Sequence, residues 1–149
     1  MELKEVAVSV LVNAKPNVVW EAIRGQRKAE PDHRKLLSYE NNEAVLEENF
    51  GELPVIGAAS CIYKECEVEL NKRIDYMLVK SDTFKLFQGS WTLTPSEDGS
   101  KTMVSLTSVS DPGLRIPFWK ELTKMATVKH VKKRLHAVTQ DAERMAKGT

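Results

Sequence analysis

A chain of 149 residues, 42% hydrophobic and 29% charged with a net charge of +1, has enough apolar content for one core and no global field to draw it to nucleic acid. No apolar run approaches the ~18 residues of a membrane span. The start, Met1-Glu2-Leu3-Lys4-Glu5, lacks the apolar core of a secretory signal, so one domain over residues 1–149 in the cytoplasm is the expectation. Charge is unevenly spread. Glu40, Glu43, Glu47, Glu48, Glu52, Glu65, Glu67 and Glu69 face only Lys64 between Ser38 and Glu69, while from Arg115 onward Lys and Arg far outnumber Glu121, Asp141 and Glu143. That describes two solvated faces of opposite sign, or a basic helix that meets an acidic partner or an anionic membrane surface.

In chain order, Val6, Val8, Val10 and Val12 alternate as one face of a half-buried strand. Pro16 suits the first turn of a helix, where its missing N–H costs nothing. That helix carries Val18, Val19, Trp20, Ala22 and Ile23, with Gly25 as a left-handed cap. A second short helix is expected over Pro31 to Leu37. Ser38 to Phe50 reads as one acidic, weakly patterned strand, and Gly51 to Gly57, with Pro54, as a loop.

Ala58 to Leu70 alternates, with Ile62, Cys66, Val68 and Leu70 sharing the apolar face. Cys61 and Cys66 then lie on opposite faces, roughly 16 Å apart at strand rise, and are expected as reduced thiols. Glu65, Glu67 and Glu69 share a face, which mutual repulsion places in solvent. The Asn71-Lys72 turn pairs this strand with Arg73 to Lys80, whose faces are Ile74, Tyr76, Leu78 and Asp75, Met77, Val79. On the next strand Phe87, Gly89, Trp91 and Leu93 align inward, leaving Gln88, Ser90 and Thr92 outside. The Asp98-Gly99 turn closes a hairpin onto Thr102 to Val109, with Val104 and Leu106 on one face.

A bend over Asp111-Pro112-Gly113 to Pro117 precedes one long helix. Phe118, Leu122, Met125, Val128, Val131, Leu135, Val138, Ala142 and Met145 form a single apolar stripe in steps of three and four. At about 45 Å for ~30 residues, this helix is longer than a small sheet needs.

Two local patterns add specificity. One is Ala14-Lys15-Pro16-Asn17-Val18-Val19-Trp20. The other is Gly89-Ser90-Trp91-Thr92-Leu93-Thr94-Pro95, the Asp98-Gly99 turn, and Asp111-Pro112-Gly113-Leu114-Arg115-Ile116-Pro117-Phe118-Trp119. In this order they resemble the helix-grip START/SRPBCC superfamily, in its polyketide cyclase/dehydrase and coenzyme-Q-binding-like branch, over nearly the whole chain. The resemblance implies an α+β helix-grip fold: a curved antiparallel sheet of about six strands around the C-terminal helix, with two short helices after the first strand. It also implies a pocket between sheet and helix, for which Tyr39, Tyr63, Tyr76, Phe87, Trp91, Trp119, Leu122 and Met125 are the ligand-binding candidates. Trp20 belongs to core packing in that pattern.

The function this implies is binding or transport of a hydrophobic small molecule such as a lipid, a quinone or a polyketide-like compound. A polyketide cyclase/aromatase-type enzyme is the alternative, with Tyr63, Tyr76 and His130 as the nearest acid/base groups. A protein-interaction module using the basic helix is the second alternative. The residues point to no catalytic set. His130 and His136 are six apart, about 240° on a helix, so they make no zinc pair. Neither a phosphate-binding loop nor a Gly-x-Ser-x-Gly motif is present. No cofactor, metal, nucleic acid or integral membrane segment is expected. Lys129, beside the stripe, is read as snorkelling to solvent, and His33 with Arg34 as surface residues.

Overall fold

The computed structural model describes residues 5–53, 57–113 and 115–148. Strand β1 (Val6–Val12) leads to helix α1 (Pro16–Gly25) and a 3-10 turn over Gln26–Lys28. Strands β2 (Arg34–Glu40), β3 (Glu43–Leu53), β4 (Gly57–Glu69), β5 (Arg73–Lys80), β6 (Leu86–Pro95) and β7 (Thr102–Asp111) follow, then helix α2 (Trp119–Lys147). The strands form one seven-stranded antiparallel sheet in the order β1-β7-β6-β5-β4-β3-β2. Six strands thus meander in sequence, and β1 closes the far side against β7.

In β1 and in β3 to β7, unlike β2, which buries only Arg34, one parity points inward. Across the sheet it runs through Val6 and Val12, Leu46 and Glu48, Tyr63 and Glu65, Ile74 and Tyr76, Trp91 and Leu93, and Val104 and Leu106, all buried. On α2 the inward face is Thr123, Thr127, Val131, Leu135, Val138 and Ala142. Helix α1 buries Val19, Trp20, Ala22 and Ile23 and packs on α2. The apolar surfaces of sheet and helices therefore cover one another, as a layered fold requires.

Several expectations are corrected. Gly25 is right-handed (φ −63), so α1 runs on into the 3-10 turn instead of ending in a left-handed cap. No helix forms over Pro31 to Leu37. Arg34 to Glu40 extends as a strand because its partners in β3 satisfy its backbone groups, with Arg34 opposite Glu48. The single strand expected over Ser38 to Phe50 is split by Asn41 and Asn42, both left-handed (φ 53 and 62), which makes a tight hairpin turn. The expected Gly51 to Gly57 loop is largely strand. β3 reaches Leu53 and β4 begins at Gly57; Pro54 to Ile56 lie outside the described residues.

Two faces are also reversed. In β4, Ala59, Cys61, Tyr63 and Glu65 are buried, while Val68 and Leu70 are exposed. In α2 the apolar stripe is buried from Val131 to Ala142 and partly at Val128, but Phe118, Leu122, Met125 and, at the far end, Met145 turn outward, and Thr123 and Thr127 take the inner positions. Threonine can do so here because Thr127 Oγ1 donates to the Thr123 carbonyl (2.8 Å), which satisfies the hydroxyl within the helix.

Candidate functional site

The N-terminal half of α2 stands off the sheet and leaves a cavity of ≈ 510 Å³. Its sheet-side wall is aromatic. The Phe50 ring, from β3, stands edge-on to Phe84 (5.4 Å between centroids) and to Phe87 of β6 (5.6 Å). Both separations suit favourable edge-to-face packing. Beside it runs a row of hydroxyls, Ser108 and Ser110 from the neighbouring strand β7, with Ser110 paired to Phe87, and then Thr123 and Thr127 from α2. Ser110 and Thr127 share a 3.0 Å hydrogen bond. Ser108 Oγ is buried near the Tyr76 hydroxyl without a well-formed hydrogen bond, so it can answer a polar atom placed in the cavity. Leu122, Met125, Lys129 and Lys133 border the opening from α2, with Glu52 also lining it.

His130 also lines the cavity, 5.3 Å from the Phe50 ring. Burial pushes its pKa down to about 4; Glu48 opposes the shift, and Arg134, Arg34 and Lys133 reinforce it. The imidazole is therefore neutral near pH 7 and offers the cavity one acceptor or one donor.

Deeper in, one helical turn past His130, lies a buried charge network. Glu48 accepts from Arg34 Nε (2.9 Å) and from the Tyr63 hydroxyl (2.8 Å). Glu65 accepts from Arg27 Nε (2.7 Å), and Glu67 from Arg27 Nη1 (2.9 Å) and Arg24 Nε (3.1 Å). Arg134 reaches in from α2, 3.9 Å from both Glu48 and Glu65, with its guanidinium 5.7 Å from the Trp91 ring centroid. The Arg34 guanidinium also donates to the Gln26 carbonyl (2.7 Å), and Gln26 donates to Asp141.

Burial pushes the Glu48 pKa up, but Arg134, Arg34 and His130 outweigh it and hold the carboxyl at about 2. Burial, helped by the Glu48 charge, raises the Tyr63 hydroxyl well above its usual range and the Cys61 thiol to about 12. The expected solvated series is overturned here: Glu65 is buried and Glu67 largely so, while Glu69 stays exposed. The repulsion argument fails because each buried carboxylate is paired with arginine, with Arg27 bridging Glu65 and Glu67 and Arg134 lying between Glu48 and Glu65.

Of the sequence candidates, Phe87, Trp119, Leu122 and Met125 line the cavity. Tyr63, Tyr76 and Trp91 are core residues beside it; the Tyr63 and Tyr76 rings lie 5.4 and 5.2 Å from Phe87. Tyr39 sits apart, against Arg24 and Arg27, and donates to Glu67 (2.7 Å). The sequence reading missed Phe50, Phe84 and the hydroxyl row. Strand parity could have found the serines, since counting on from Val104 and Leu106 reaches Ser108 and Ser110. Lys129 is exposed at the opening and His33 is exposed, but Arg34, expected at the surface with it, is buried against Glu48. Cys61 and Cys66 are unpaired and face opposite sides of β4. Among the described residues no cluster of His, Cys, Asp or Glu could hold a metal ion, and no helix is long and apolar enough to cross a membrane.

The architecture is that of a helix-grip protein, a curved antiparallel sheet closed by a long C-terminal helix over a cavity. Among solved structures, the Zhui aromatase/cyclase from Streptomyces sp. R1128 superposes with a TM-score of 0.77 at 17% identity, covering 96% of this chain and 95% of that one. A START superfamily protein from Mycobacterium smegmatis gives 0.68 at 19% identity over 91% and 97%. The di-domain aromatase/cyclase StfQ from the steffimycin biosynthetic pathway gives 0.69 at 11%, with 97% of this chain matching 51% of that one. No protein-family model and no curated protein matches the sequence. At these identities the likeness establishes the helix-grip fold that START and aromatase/cyclase proteins share.

Proposed function

We propose that this protein binds and carries a ring-bearing, mostly apolar small molecule with oxygen substituents along one edge, of the quinone or polyketide-like kind. One observation carries the reading: the ≈ 510 Å³ cavity is lined by an aromatic cluster beside a row of hydroxyls that runs from β7 onto α2. That size falls within the roughly 300–1,000 Å³ of small-molecule sites. Burying about 300 Å² of apolar ligand surface contributes roughly 7.5 kcal/mol before ordering costs, and micromolar affinity needs about 8.2 kcal/mol. Apolar burial alone therefore falls short, and the hydroxyls and His130 supply the difference and the selectivity. A pure hydrocarbon chain would leave Ser108 without a partner.

The test is mass spectrometry of small molecules that co-purify with the native protein, followed by a thermal-shift panel of quinones, polyketides, flavonoids and fatty acids. Ala126→Trp, which fills the opening from α2, is expected to abolish the ligand-induced shift while leaving the unliganded melting temperature nearly unchanged. Stabilisation that survives Ala126→Trp would place the ligand elsewhere. A cyclase reading is favoured by a neutral imidazole in the cavity wall, where His130 can hydrogen-bond and orient a substrate oxygen, although at a pKa of about 4 it is a weak base. Recovery of the ligand unchanged after prolonged incubation supports the carrier; a cyclised product, lost in His130→Phe, supports the enzyme.

A further inference from the structure

The bend before α2 and the first turns of that helix expose what the rest of the molecule hides. We propose that this face docks on the surface of an anionic lipid bilayer, with the cavity opening turned toward the lipid. Phe118 is held at φ 64 and is 76% exposed. A bulky side chain rarely adopts that left-handed conformation, and here the fold gains no burial in return. Leu122 and Met125, 40% and 69% exposed, follow at the helical spacing that puts them on Phe118's side of α2.

Past Met125 the same side turns basic. Lys129, Lys132 and Lys133 continue it over about 20 Å of helix axis from Phe118, with Lys124 exposed nearby. Between Trp119 and Gln140 the carboxylate on α2 is Glu121, and the arginine there, Arg134, points inward. Among the described residues Lys124, Lys129, Lys132 and Lys133 make no ion pair. Glu52, exposed at the opening, is the acidic group that faces them.

An acidic protein would satisfy the lysines but would need an apolar groove for the exposed Phe118, Leu122 and Met125 side chains. A bilayer interface takes both parts at once. The ring and thioether enter the headgroup–acyl boundary, and the ammonium groups meet lipid phosphates and carboxylates. Leu122, Met125, Lys129 and Lys133 border the cavity as well, so docking places its opening against an apolar phase.

The experiment is co-sedimentation with vesicles of phosphatidylcholine alone and of phosphatidylcholine with 30% phosphatidylserine, at low and high salt. Wild type is expected on the anionic vesicles at low salt and largely free otherwise. The triple variant Lys129→Gln, Lys132→Gln, Lys133→Gln should lose about a hundredfold in partition, at roughly fivefold per lysine. Phe118→Gly should bind about tenfold more weakly yet melt no lower than wild type, because glycine adopts φ 64 without strain. A purely structural Phe118 would instead lower the melting temperature when removed. Ser108→Ala, buried inside the cavity and away from this face, is expected to sediment like wild type, which separates docking from ligand binding. Failure of wild type to sediment with anionic vesicles at low salt overturns the proposal, as does full binding by Phe118→Gly. Binding to an acidic protein with none to vesicles would replace it with a protein partner.

Discussion

Glu48→Gln removes the anion that two buried guanidiniums share and almost nothing else. The substitution keeps the shape and one acceptor oxygen, so Tyr63 retains a hydrogen bond. What is lost is the charge facing Arg34 at 2.9 Å and Arg134 at 3.9 Å. At an effective dielectric near 20, unit charges about 4 Å apart attract by about 4 kcal/mol, so the two contacts carry roughly 8 kcal/mol of gross attraction. Part returns because the carboxylate no longer has to be desolvated. Arg34 keeps the Gln26 carbonyl, and Arg134 keeps Glu65. The net loss expected is about 3–5 kcal/mol. It would be read from urea denaturation at pH 7 and from a melting temperature about 10 °C lower. Adding Arg134→Met should restore part of the loss, since the uncompensated cation goes with it, giving a coupling of about 2 kcal/mol in the double-mutant cycle. A Glu48→Gln loss below about 1 kcal/mol, or strict additivity with Arg134→Met, would refute the view that these charges depend on one another.

The same region sets the acid response. Between its usual 6.5 and its native value of about 4, His130 takes up a proton in the unfolded chain but not in the folded one. Stability should therefore fall as pH drops through that window, by up to about 3 kcal/mol, and His130→Phe should flatten the curve there. Glu48, held at about 2, adds a further loss from pH 4.5 downward in urea titrations that is absent from Glu48→Gln. Gly89→Ala should unfold the sheet centre, because an added Cβ would lie 1.9 Å from the Thr107 carbonyl and 2.5 Å from the Tyr76 hydroxyl. A loss of about 3 kcal/mol or more is expected. Gly25→Ala, with nothing within 4 Å of the new Cβ and a helical φ of −63, should stabilise by about 0.5–1 kcal/mol in the same denaturation assay.

The sheet was legible wherever local chemistry decided the structure. Asn71 and Gly99 mark their turns with left-handed backbones, and Phe87, Trp91 and Leu93 set the inward parity of β6. The reading went wrong at β4 because hydropathy favours Ile62, Val68 and Leu70 over Glu65. What turns Glu65 inward is Arg27 and Arg134, which arrive from other elements and leave no mark near it in sequence. The cavity was harder to see for the same reason. Thr123 and Thr127 look solvated in a helical pattern, and it takes Ser110 of β7 together with the Thr123 carbonyl to satisfy Thr127 in its inward place. Met125 looked buried because it fits the period of Val131 and Leu135, yet that stripe has no sheet beneath it at its start.

Strand β1 finds its partner at the other end of the sheet's sequence, with Ser9 and Ser105 bonded across 96 residues. Every other pairing joins consecutive strands. On the ribosome the first strand made must wait while six later ones emerge, and α2 follows only after them. The meander from β2 to β7 can zip hairpin by hairpin, but the edge of β7 stays open until β1 closes it. Refolding should therefore show early protection of amides in β3 to β6 and late protection in β1. That interval, with an unpaired valine-rich strand and an uncovered sheet face, is when the chain is most exposed to aggregation.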